Sequence, residues 1–234
     1  MLVYLLASNA ETERISHVRA LNNSFENLMQ IDAIYPSKVH VPFQDKIKAI
    51  TKARTGHEIT NGALGCLLSH RKIWQKFIDQ NDFDHCLILE SDSKVLDLEK
   101  LTSAFEIVKS DFDLFFFGAF DGRMKLFRSS KHKLFDKYVI GVPLKNSLYC
   151  TYGYMLNKKA ATNLLRVTSK FDYPVDYWKY RLKNTNLKVG GITPNLISTV
   201  QDFNSTIDKS KKSFGSFIFD LIIDLKNSII TNIK

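Results

Sequence analysis

Cysteine is scarce in this sequence, and it contains neither a long apolar run nor an arginine-rich block. The three cysteines, Cys66, Cys86 and Cys150, lie far apart and show no C-x-x-C spacing, so buried, reduced thiols are expected. No apolar stretch approaches the roughly 20 residues of a membrane span, and the first residues lack the basic and apolar regions of a signal peptide. We therefore expect a cytoplasmic protein.

The absence of an arginine-rich block narrows the kinds of partner that the net positive charge can indicate. The formal net charge is +9, a value that favours nucleic acid, anionic lipid or a phosphorylated ligand as a partner. Lysines and arginines are spread over 123–145, 158–188 and 209–212, and there is no zinc-finger, RRM or KH signature. We therefore expect no nucleic-acid partner.

Strand-like and helix-like segments alternate along the chain. Apolar runs bounded by turn residues predict strands near 2–7, 30–35, 86–90, 113–118, 138–142 and 150–156. Helical periodicity predicts helices over 12–23, 64–80, 98–109 and 158–168, the first capped by Thr12 and the last by Asn157. Alternation of this kind predicts an α/β domain with a mostly parallel sheet. Ligands of such domains bind beyond the carboxyl ends of the strands, here 90–93 and 118–123.

Two carboxylates follow the most apolar strand. In CLILESD, residues 86–92, Glu90 and Asp92 are two positions apart, so in an extended segment they project to the same side. A hard cation such as Mg²⁺ or Mn²⁺ relieves the repulsion between such carboxylates and bridges to phosphate oxygens. A strand that ends in a polar turn is the alternative interpretation.

A glycine-containing turn leads into the helix that precedes this strand. In ITNGALGCLLSHRKIW, residues 59–74, Gly62 and Gly65 permit close backbone approach, and a helix start offers free N–H groups to an anion. Ser69 and His70 lie within the helix. A helical histidine is more often structural than catalytic, so chemistry alone assigns His70 no role.

Together these segments resemble glycosyltransferase family 25, the lipopolysaccharide and lipooligosaccharide glycosyltransferases of bacteria with their collagen galactosyltransferase relatives. The pattern G-x-x-G-C-x-L-S-H-x-x-x-W, residues 62–74, followed by LILE-x-D at 87–92, carries the resemblance. TYGYMLNKKAATNLL at 151–165, PVDYW at 174–178 and PNLISTVQDFNSTI at 194–207 support it. The resemblance covers residues 1–207.

The resemblance implies a GT-A-like fold as a single Rossmann-type domain, with helices on the sheet. It also implies a UDP-sugar donor, most often UDP-galactose, and inversion at the anomeric carbon. On the donor side it places Gly65, Ser69 and His70 with Glu90 and Asp92. The two carboxylates are the expected ligands of Mn²⁺ or Mg²⁺.

Two departures from the family pattern fall in this donor region. Ser91 stands where the family usually has a second acid, which bears on the strength of metal binding. The family's Asn-Leu-Asp-Arg turn is replaced by residues 7–10, Ala-Ser-Asn-Ala, followed by Arg14. Ser8 and Arg14 are the nucleotide contacts expected there.

Two aspartates are candidates for the acid–base chemistry. Inverting transfer needs a base that deprotonates the acceptor hydroxyl. Asp176 in YPVDYW is the favoured base, and Asp121 in FFFGAFDGR is a candidate for contact with sugar hydroxyls; both could instead be ordinary turn residues. Tyr152, Tyr154, Tyr177 and Trp178 are candidates for sugar stacking or for the core.

The last residues form a separate basic and amphipathic segment. We expect a domain over 1–207 and an amphipathic helix over 208–234, which packs on the domain, on a second subunit in a homodimer, or on an anionic membrane. With a lipooligosaccharide or lipopolysaccharide acceptor, the last choice implies a peripheral enzyme on the inner face of the inner membrane. The donor sugar stays open between galactose and glucose.

Two other classes of function remain. The first is a non-catalytic module that binds sugar nucleotides or glycans on the same fold. The second is a metal-dependent phosphoester hydrolase, which is disfavoured because no histidine follows His132 to supply further ligands.

Overall fold

The computed structural model describes residues 1–8, 11–200, 226 and 228–232. Its strands are β1 (Leu2–Ala7), β2 (Leu28–Asp32), β3 (His85–Glu90), β4 (Ser93–Val95), β5 (Leu114–Phe116), β6 (His132–Phe135), β7 (Tyr138–Gly141), β8 (Gly153–Asn157), β9 (Val189–Thr193) and β10 (Ile197–Thr199). Its α-helices are α1 (Ile15–Ser24), α2 (Gln44–Thr55), α3 (Asn61–Asp79), α4 (Leu98–Val108), α5 (Lys158–Thr168) and α6 (Trp178–Arg181).

Eight strands form one mixed sheet in the order β2-β1-β3-β8-β5-β9-β7-β6. β1 pairs in parallel with both β2 and β3, and β5 pairs in parallel with β9. β8 runs antiparallel between β3 and β5, and β7 runs antiparallel between β9 and β6. All the other strands of this sheet therefore share one direction, which confirms the mostly parallel α/β architecture expected of a GT-A-like domain.

The central strands are buried on both faces, which explains their continuous apolar runs. In β1, Tyr4 and Leu6 pack with α3 residues such as Trp74, whereas Val3 and Leu5 pack with α4 residues on the opposite face. The register pairs Leu6 of β1 with Glu90 of β3. The apolar pairing thus carries the carboxylate to the end of the sheet.

The start of α3 sits unusually close to the loop that follows β2. Thr60 caps the helix by accepting a hydrogen bond from the backbone N–H of Ala63 at 3.2 Å. A Cβ atom at Gly65 would lie 2.4 Å from the carbonyl oxygen of Ile34. Only glycine fits that approach without moving the backbone.

A small second sheet fixes the segment after Glu90. β4 pairs antiparallel with β10, and the backbone N–H of Val200 donates to the carbonyl oxygen of Asp92 at 2.9 Å. The Ser93 hydroxyl accepts from the backbone N–H of Glu90 at 2.8 Å and donates to the carbonyl oxygen of Tyr152. Residues 90–93 are therefore held on both sides.

Most elements expected from the sequence are present, with shifted ends. Asn157 caps α5 through the N–H of Ala160, as expected. Thr12 does not cap a helix: it begins a short 3-10 turn with no side-chain cap, and α1 follows. Helix α2 was not expected because it buries little besides Ile47 and Thr51, which gives no strong apolar period.

The cysteines are free thiols, as expected, but only Cys86 is fully buried. Cys66 and Cys150 are half-buried and line cavities. No helix in the described part of the chain is long and apolar enough to cross a membrane. Most of the segment 208–234, like the boundary at residue 207, lies outside the described residues, as do Asn9 and Ala10.

Candidate active site

Two adjoining cavities meet at the end of β3. The first, of about 530 Å³ and here called the Arg14 cavity, is lined by residues that include Glu11, Arg14, Tyr35, Gly65, Ser69 and Ser91. The second, of about 820 Å³ and here called the Asp176 cavity, is lined by residues that include Asp92, Asp121, Thr151, Tyr152, Asp176 and Tyr177. Glu90 and Cys66 line both. Both cavities adjoin residues 90–92, the segment in which the sequence predicts the ligand site.

Glu90 is held at the boundary by its neighbours. His70 Nε2 lies 3.1 Å from Glu90 Oε1, and the Thr151 hydroxyl donates to the same oxygen. Burial works to raise the pKa of Glu90, but the hydrogen bonds from His70 and Thr151, with the charge of Arg14, outweigh it and leave that pKa below its ordinary value. Glu90 is therefore an anion in the site.

A buried chain of hydrogen bonds supports Glu90 from behind. Trp74 Nε1 donates to Tyr154 Oη at 2.9 Å, and Tyr154 Oη lies 2.8 Å from His70 Nδ1. An ionised carboxylate only accepts, so His70 Nε2 donates to Glu90. His70 is fully buried, and each of its ring nitrogens lies within hydrogen-bond distance of a partner.

Asp92 differs from Glu90 in its hydrogen bonding and in the direction of its pKa shift. Its Oδ1 atom is buried and has no hydrogen-bond partner among the described residues. Burial, and next the negative charge of Glu90, raise the pKa of Asp92 to about 6. A buried carboxylate oxygen without a hydrogen-bond partner is costly. A bound cation would supply the missing interaction, so Asp92 Oδ1 is a candidate cation ligand.

The Arg14 cavity has a paired wall. Arg14 Nη1 donates to the Ser91 hydroxyl at 2.7 Å, and that hydroxyl donates to Glu11 Oε2 at 2.8 Å. The Tyr35 hydroxyl donates to Glu11 Oε1 at 2.9 Å. Ser91 therefore sits in a hydrogen-bonded link between a cation and an anion, where a further acid would face Glu11.

The remaining donor-side residues lie in the same cavity or next to it: Gly65 and Ser69 line it, and Ser8 contacts its wall through Tyr35. The Ser69 hydroxyl accepts from the backbone N–H of Ile34 at 2.8 Å and donates to the carbonyl oxygen of Gly65 at 2.7 Å. Ser8 is half-buried and makes a hydrogen bond with Tyr35. The structure thus brings Ser8, Arg14, Gly65 and Ser69 to one region, while His70 reaches it only through Glu90.

Asp176 faces the larger cavity from the segment before α6. Burial, and then the charge of Glu90, raise the pKa of Asp176 above its ordinary value. A carboxylate with a raised pKa accepts a proton more readily than an exposed one. Burial thus makes Asp176 more basic than an exposed aspartate, and its role as the general base stays a prediction.

Asp121 lines the same cavity in a different environment. It is an exposed residue with left-handed backbone, φ 51°, and its carboxylate lies 4.0 Å from Arg123 Nη2. Of the candidate stacking residues, Tyr154 and Trp178 are fully buried in the core, whereas Tyr152 and Tyr177 line the cavity. Asp121 and Tyr177 are thus open to a ligand.

Two sets of side chains offer ligand atoms for a metal. Cys66, His70 and Glu90 place one ligand atom each within 4.8 Å of one another. That set does not suit Mg²⁺ or Mn²⁺, because both His70 nitrogens are engaged and burial raises the pKa of the Cys66 thiol well above its ordinary value. Asp92, with Glu90 beside it, is the set of hard oxygen donors.

Several site residues escaped the sequence analysis. Glu11 lies three residues before Arg14, a spacing typical of a helical ion pair, and this signal could have identified it. Tyr35 and Thr151 reach the site from distant segments and carry no local signal.

An α/β domain with two cavities that meet at a carboxylate is suited to an enzyme that holds two substrates side by side. Comparison with protein families identifies the class of enzyme to which this chain belongs. The model of glycosyltransferase family 25, described as LPS biosynthesis protein, matches residues 3–178. The chain belongs to this family, and it is a glycosyltransferase by that membership.

Similar proteins were found in sequence and in structure. Procollagen galactosyltransferase 1 of Danio rerio is 32% identical over 133 residues, which are 52% of this chain and 20% of that protein; the chain thus spans about a fifth of this relative. The inositol-1-phosphate CTP transferase of T. maritima matches 96% of this chain and 95% of its own, with TM-score 0.46 and 14% identity. The glycosyltransferase GlyE of Streptococcus pneumoniae matches 81% of this chain and 44% of its own, with TM-score 0.39 and 14% identity.

Proposed function

We propose that this protein is an inverting glycosyltransferase that moves a hexose, galactose in the first instance, from a UDP-sugar to a sugar of a lipooligosaccharide or lipopolysaccharide acceptor. Family membership supports the transferase class, and a relative named as a galactosyltransferase supports the choice of sugar. The observation that carries the proposal is the meeting of two cavities at Glu90, with Arg14 in one and Asp176 in the other.

The Arg14 cavity receives the nucleotide diphosphate. Arg14 is nearly buried, and its guanidinium lies against Ser91 at the cavity wall. The positive charge stabilises phosphate oxygens bound at this wall. Ser8, Gly65 and Ser69 shape the neighbouring rim, so the sugar of the donor points toward Glu90 and the second cavity.

Asp92 and Glu90 would hold Mn²⁺ or Mg²⁺ at the junction of the cavities. The unpaired buried oxygen of Asp92 fits such an ion, whereas Glu90 already uses one oxygen for His70 and Thr151. When bound, the ion supplies positive charge to the departing diphosphate. Asp92 is therefore the direct ligand, and Glu90 the weaker one.

Asp176 acts as the base in the second cavity. The acceptor hydroxyl attacks the anomeric carbon of the donor sugar from the face opposite the diphosphate and gives its proton to the Asp176 carboxylate. The bond from the anomeric carbon to the diphosphate oxygen breaks, and its electron pair leaves on UDP. One displacement inverts the configuration. Asp121, at the open edge, binds sugar hydroxyls.

The acceptor and the location belong to the same proposal. A membrane-held, anionic acceptor suits a chain of net charge +9, with the segment 208–234 on the inner face of the inner membrane. Deletion of 209–234 is expected to release the protein from vesicles that contain phosphatidylglycerol. Unchanged co-sedimentation would refute the membrane role, and light scattering of the two forms tests the alternative of a homodimer contact.

A panel of nucleotide sugars tests the function directly. UDP-galactose with Mn²⁺ is expected to raise the melting temperature and to be hydrolysed slowly in the absence of acceptor; UDP-glucose is the competing donor. Asp92→Ala should lose both the metal-dependent shift and the hydrolysis. A thermal shift in both proteins without turnover in either would instead favour a non-catalytic sugar-nucleotide-binding module.

A further inference from the structure

Three tyrosines form a stack beside Asp176. The rings of Tyr173 and Tyr180 are 4.3 Å apart between centroids and 4° from parallel. The ring of Tyr177 lies 6.2 Å from that of Tyr173 and 6.3 Å from that of Tyr180. Tyr177 is 40% exposed and Tyr180 is 45% exposed, so this tyrosine stack presents aromatic surface to solvent.

The tyrosine stack rests on a rigid base. Arg181 is buried beneath it, donates to Asp172 Oδ1 at 2.9 Å and to the carbonyl oxygen of Tyr173, and lies 5.8 Å from the centre of the Tyr173 ring. The backbone N–H of Tyr180 donates to the carbonyl oxygen of Tyr177 at 3.0 Å. These bonds order the rings before any ligand arrives, which lowers the entropy cost of binding.

The fold does not need these exposed rings for its core. Trp178 and Leu182, which are almost fully buried, attach this segment to the sheet, together with Val175 before them. Val175 and Trp178 alternate with the three tyrosines in sequence, and Leu182 follows them. A structural role is therefore already filled, and large exposed aromatic surface of this kind marks a binding site.

We propose that the tyrosine stack is the acceptor-glycan subsite: it binds the sugar that precedes the one receiving the transferred hexose. This inference rests on the proposed function and deepens it. Tyr177 lines the Asp176 cavity directly after the proposed base, so a glycan whose terminal hydroxyl reaches Asp176 continues over this ring. Pyranose rings present a face of C–H groups that packs on an aromatic face, while phenol hydroxyls bond to sugar hydroxyls.

The surroundings favour a glycan over an acyl chain or an apolar peptide. The patch consists of phenols rather than aliphatic side chains, and it continues into a cavity lined by Asp92, Asp121 and Asp176. Lys179 lies 5.5 Å from the centre of the Tyr180 ring, which places a cation where an acidic sugar would pass. Amphipathic rings next to charged groups match the mixed surface of an oligosaccharide.

Binding at such a distance from the reacting hydroxyl has a kinetic signature. Contacts to remote sugars lower the transition-state free energy only for acceptors long enough to reach them. The contribution of the tyrosines should therefore grow with acceptor length, whereas a structural role would affect every substrate equally.

The experiment compares galactose, lactose and galactosyl-lactose as acceptors with saturating UDP-galactose and Mn²⁺, using the double variant Tyr177→Ala/Tyr180→Ala. We expect kcat/KM to fall at least about tenfold for the trisaccharide and under about twofold for galactose. Tyr177→Phe should retain most of the trisaccharide rate. Ile107→Ala, which removes exposed apolar surface on α4 across the sheet, should leave all rates unchanged.

Equal losses for all three acceptors, or no loss for any, would overturn the subsite. Saturation-transfer NMR with galactosyl-lactose and no donor separates this outcome from failure of the proposed reaction. If the wild type neither hydrolyses nor transfers, the proposed function fails; binding of the trisaccharide that the double variant loses would still support the subsite. Absence of trisaccharide binding to the wild type would refute it.

Discussion

The two cavities on either side of Glu90 differ in how completely their charged groups are paired. In the Arg14 cavity, Arg14, Ser91, Glu11 and Tyr35 form a continuous set of hydrogen bonds. In the Asp176 cavity, Asp92 has an unpaired buried oxygen, and burial raises the pKa of both Asp92 and Asp176. The four residues of the first set satisfy one another, whereas Asp92 Oδ1 gains a partner only when a proton or a cation is added.

This contrast suits a division in which the Arg14 cavity binds a substrate and the Asp176 cavity carries the chemical step. A paired wall keeps its shape and costs little to maintain, which suits recognition of a constant group such as a nucleotide. Unpaired carboxylates are costly in the folded state, and such strain is tolerated where a proton or a cation must be taken up. We therefore expect substitutions in the Asp176 cavity to change the reaction, and those in the Arg14 cavity to change affinity.

The largest effect is expected from Asp176→Asn. The amide cannot accept the proton of the acceptor hydroxyl, so kcat for transfer should fall by about 10²- to 10⁴-fold. Donor affinity should stay within about twofold, since Asp176 lies outside the Arg14 cavity, the proposed nucleotide site. Transfer of radiolabelled galactose measures the first quantity and titration calorimetry with UDP-galactose the second.

Asp121→Asn is the matched control for that substitution. Asp121 faces the same cavity but is exposed and adopts left-handed backbone, which asparagine also tolerates. We expect a loss of less than about tenfold, chiefly in acceptor KM, as one hydrogen bond is exchanged for another. If Asp121→Asn proves the more damaging change, the two aspartates have been assigned in the wrong order.

The boundary between the cavities is tested by Tyr154→Phe. Loss of the hydroxyl leaves Trp74 Nε1 without an acceptor and His70 Nδ1 without its hydrogen-bond partner. The free energy of unfolding should fall by about 2–4 kcal/mol, because buried polar groups are left unpaired. Urea denaturation measures this change, and transfer should weaken as Glu90 loses its fixed position.

The same chemical change at Tyr4 provides the control. Tyr4 is also fully buried, but its hydroxyl has no hydrogen-bond partner among the described residues. Tyr4→Phe should therefore leave the free energy of unfolding within about 0.5 kcal/mol of wild type or raise it. Equal costs at the two tyrosines would show that the Trp74–Tyr154–His70–Glu90 chain adds nothing beyond packing.

The sequence predicts the sheet better than it predicts the pairing within the site. Strands such as β1 and β3 can be predicted from the sequence because burial on both faces requires an unbroken apolar run. No sequence pattern indicates that β8 runs antiparallel to its neighbours. Helix α2 is too polar to show a helical period of apolar residues. Local patterns also predicted Glu90 and Asp92 at the carboxyl end of β3, where the structure has them; their role as site residues stays a prediction.

What the sequence could not give is the partner of each charged group. Glu90 and Asp92 are chemically similar and two residues apart, yet His70 and Thr151 lower the pKa of one while burial raises that of the other. Those partners lie 20 and 61 residues from Glu90. Contacts at such separations follow from the packed fold and from no local spacing.

Asp92→Asn tests the unpaired carboxylate through pH. The pKa of Asp92 is raised from an ordinary value of 3.8 to about 6, so the native state holds a proton that the unfolded chain has released, and wild-type stability falls as pH rises from 3.8 to 6. Without divalent cations, the variant should match wild type near pH 4 and exceed it by about 2–3 kcal/mol at pH 7.5. Urea denaturation in EDTA measures both points.

Added Mn²⁺ should reverse that order. The ion stabilises wild type by binding the native state, and the amide of the variant is a poorer ligand. A stability difference that stays constant from pH 4 to 7.5, or an equal response of both proteins to Mn²⁺, would contradict the assignment of Asp92 as the cation ligand.

The smallest effect is expected on the paired side, from Tyr35→Phe. The substitution removes the hydrogen bonds of the Tyr35 hydroxyl with Glu11 and with Ser8, while Ser91 still donates to the other carboxylate oxygen of Glu11. Loss of these two bonds from a wall that keeps its remaining bonds should lower the free energy of unfolding by about 1–2 kcal/mol. Because Glu11 is then held less firmly, KM for UDP-galactose should rise by about two- to fivefold. Acceptor KM and kcat should not change.

A drop in kcat with unchanged donor KM would mean that the Arg14 cavity takes part in the chemical step. The assignment of binding to the Arg14 cavity and of chemistry to the Asp176 cavity would then be wrong.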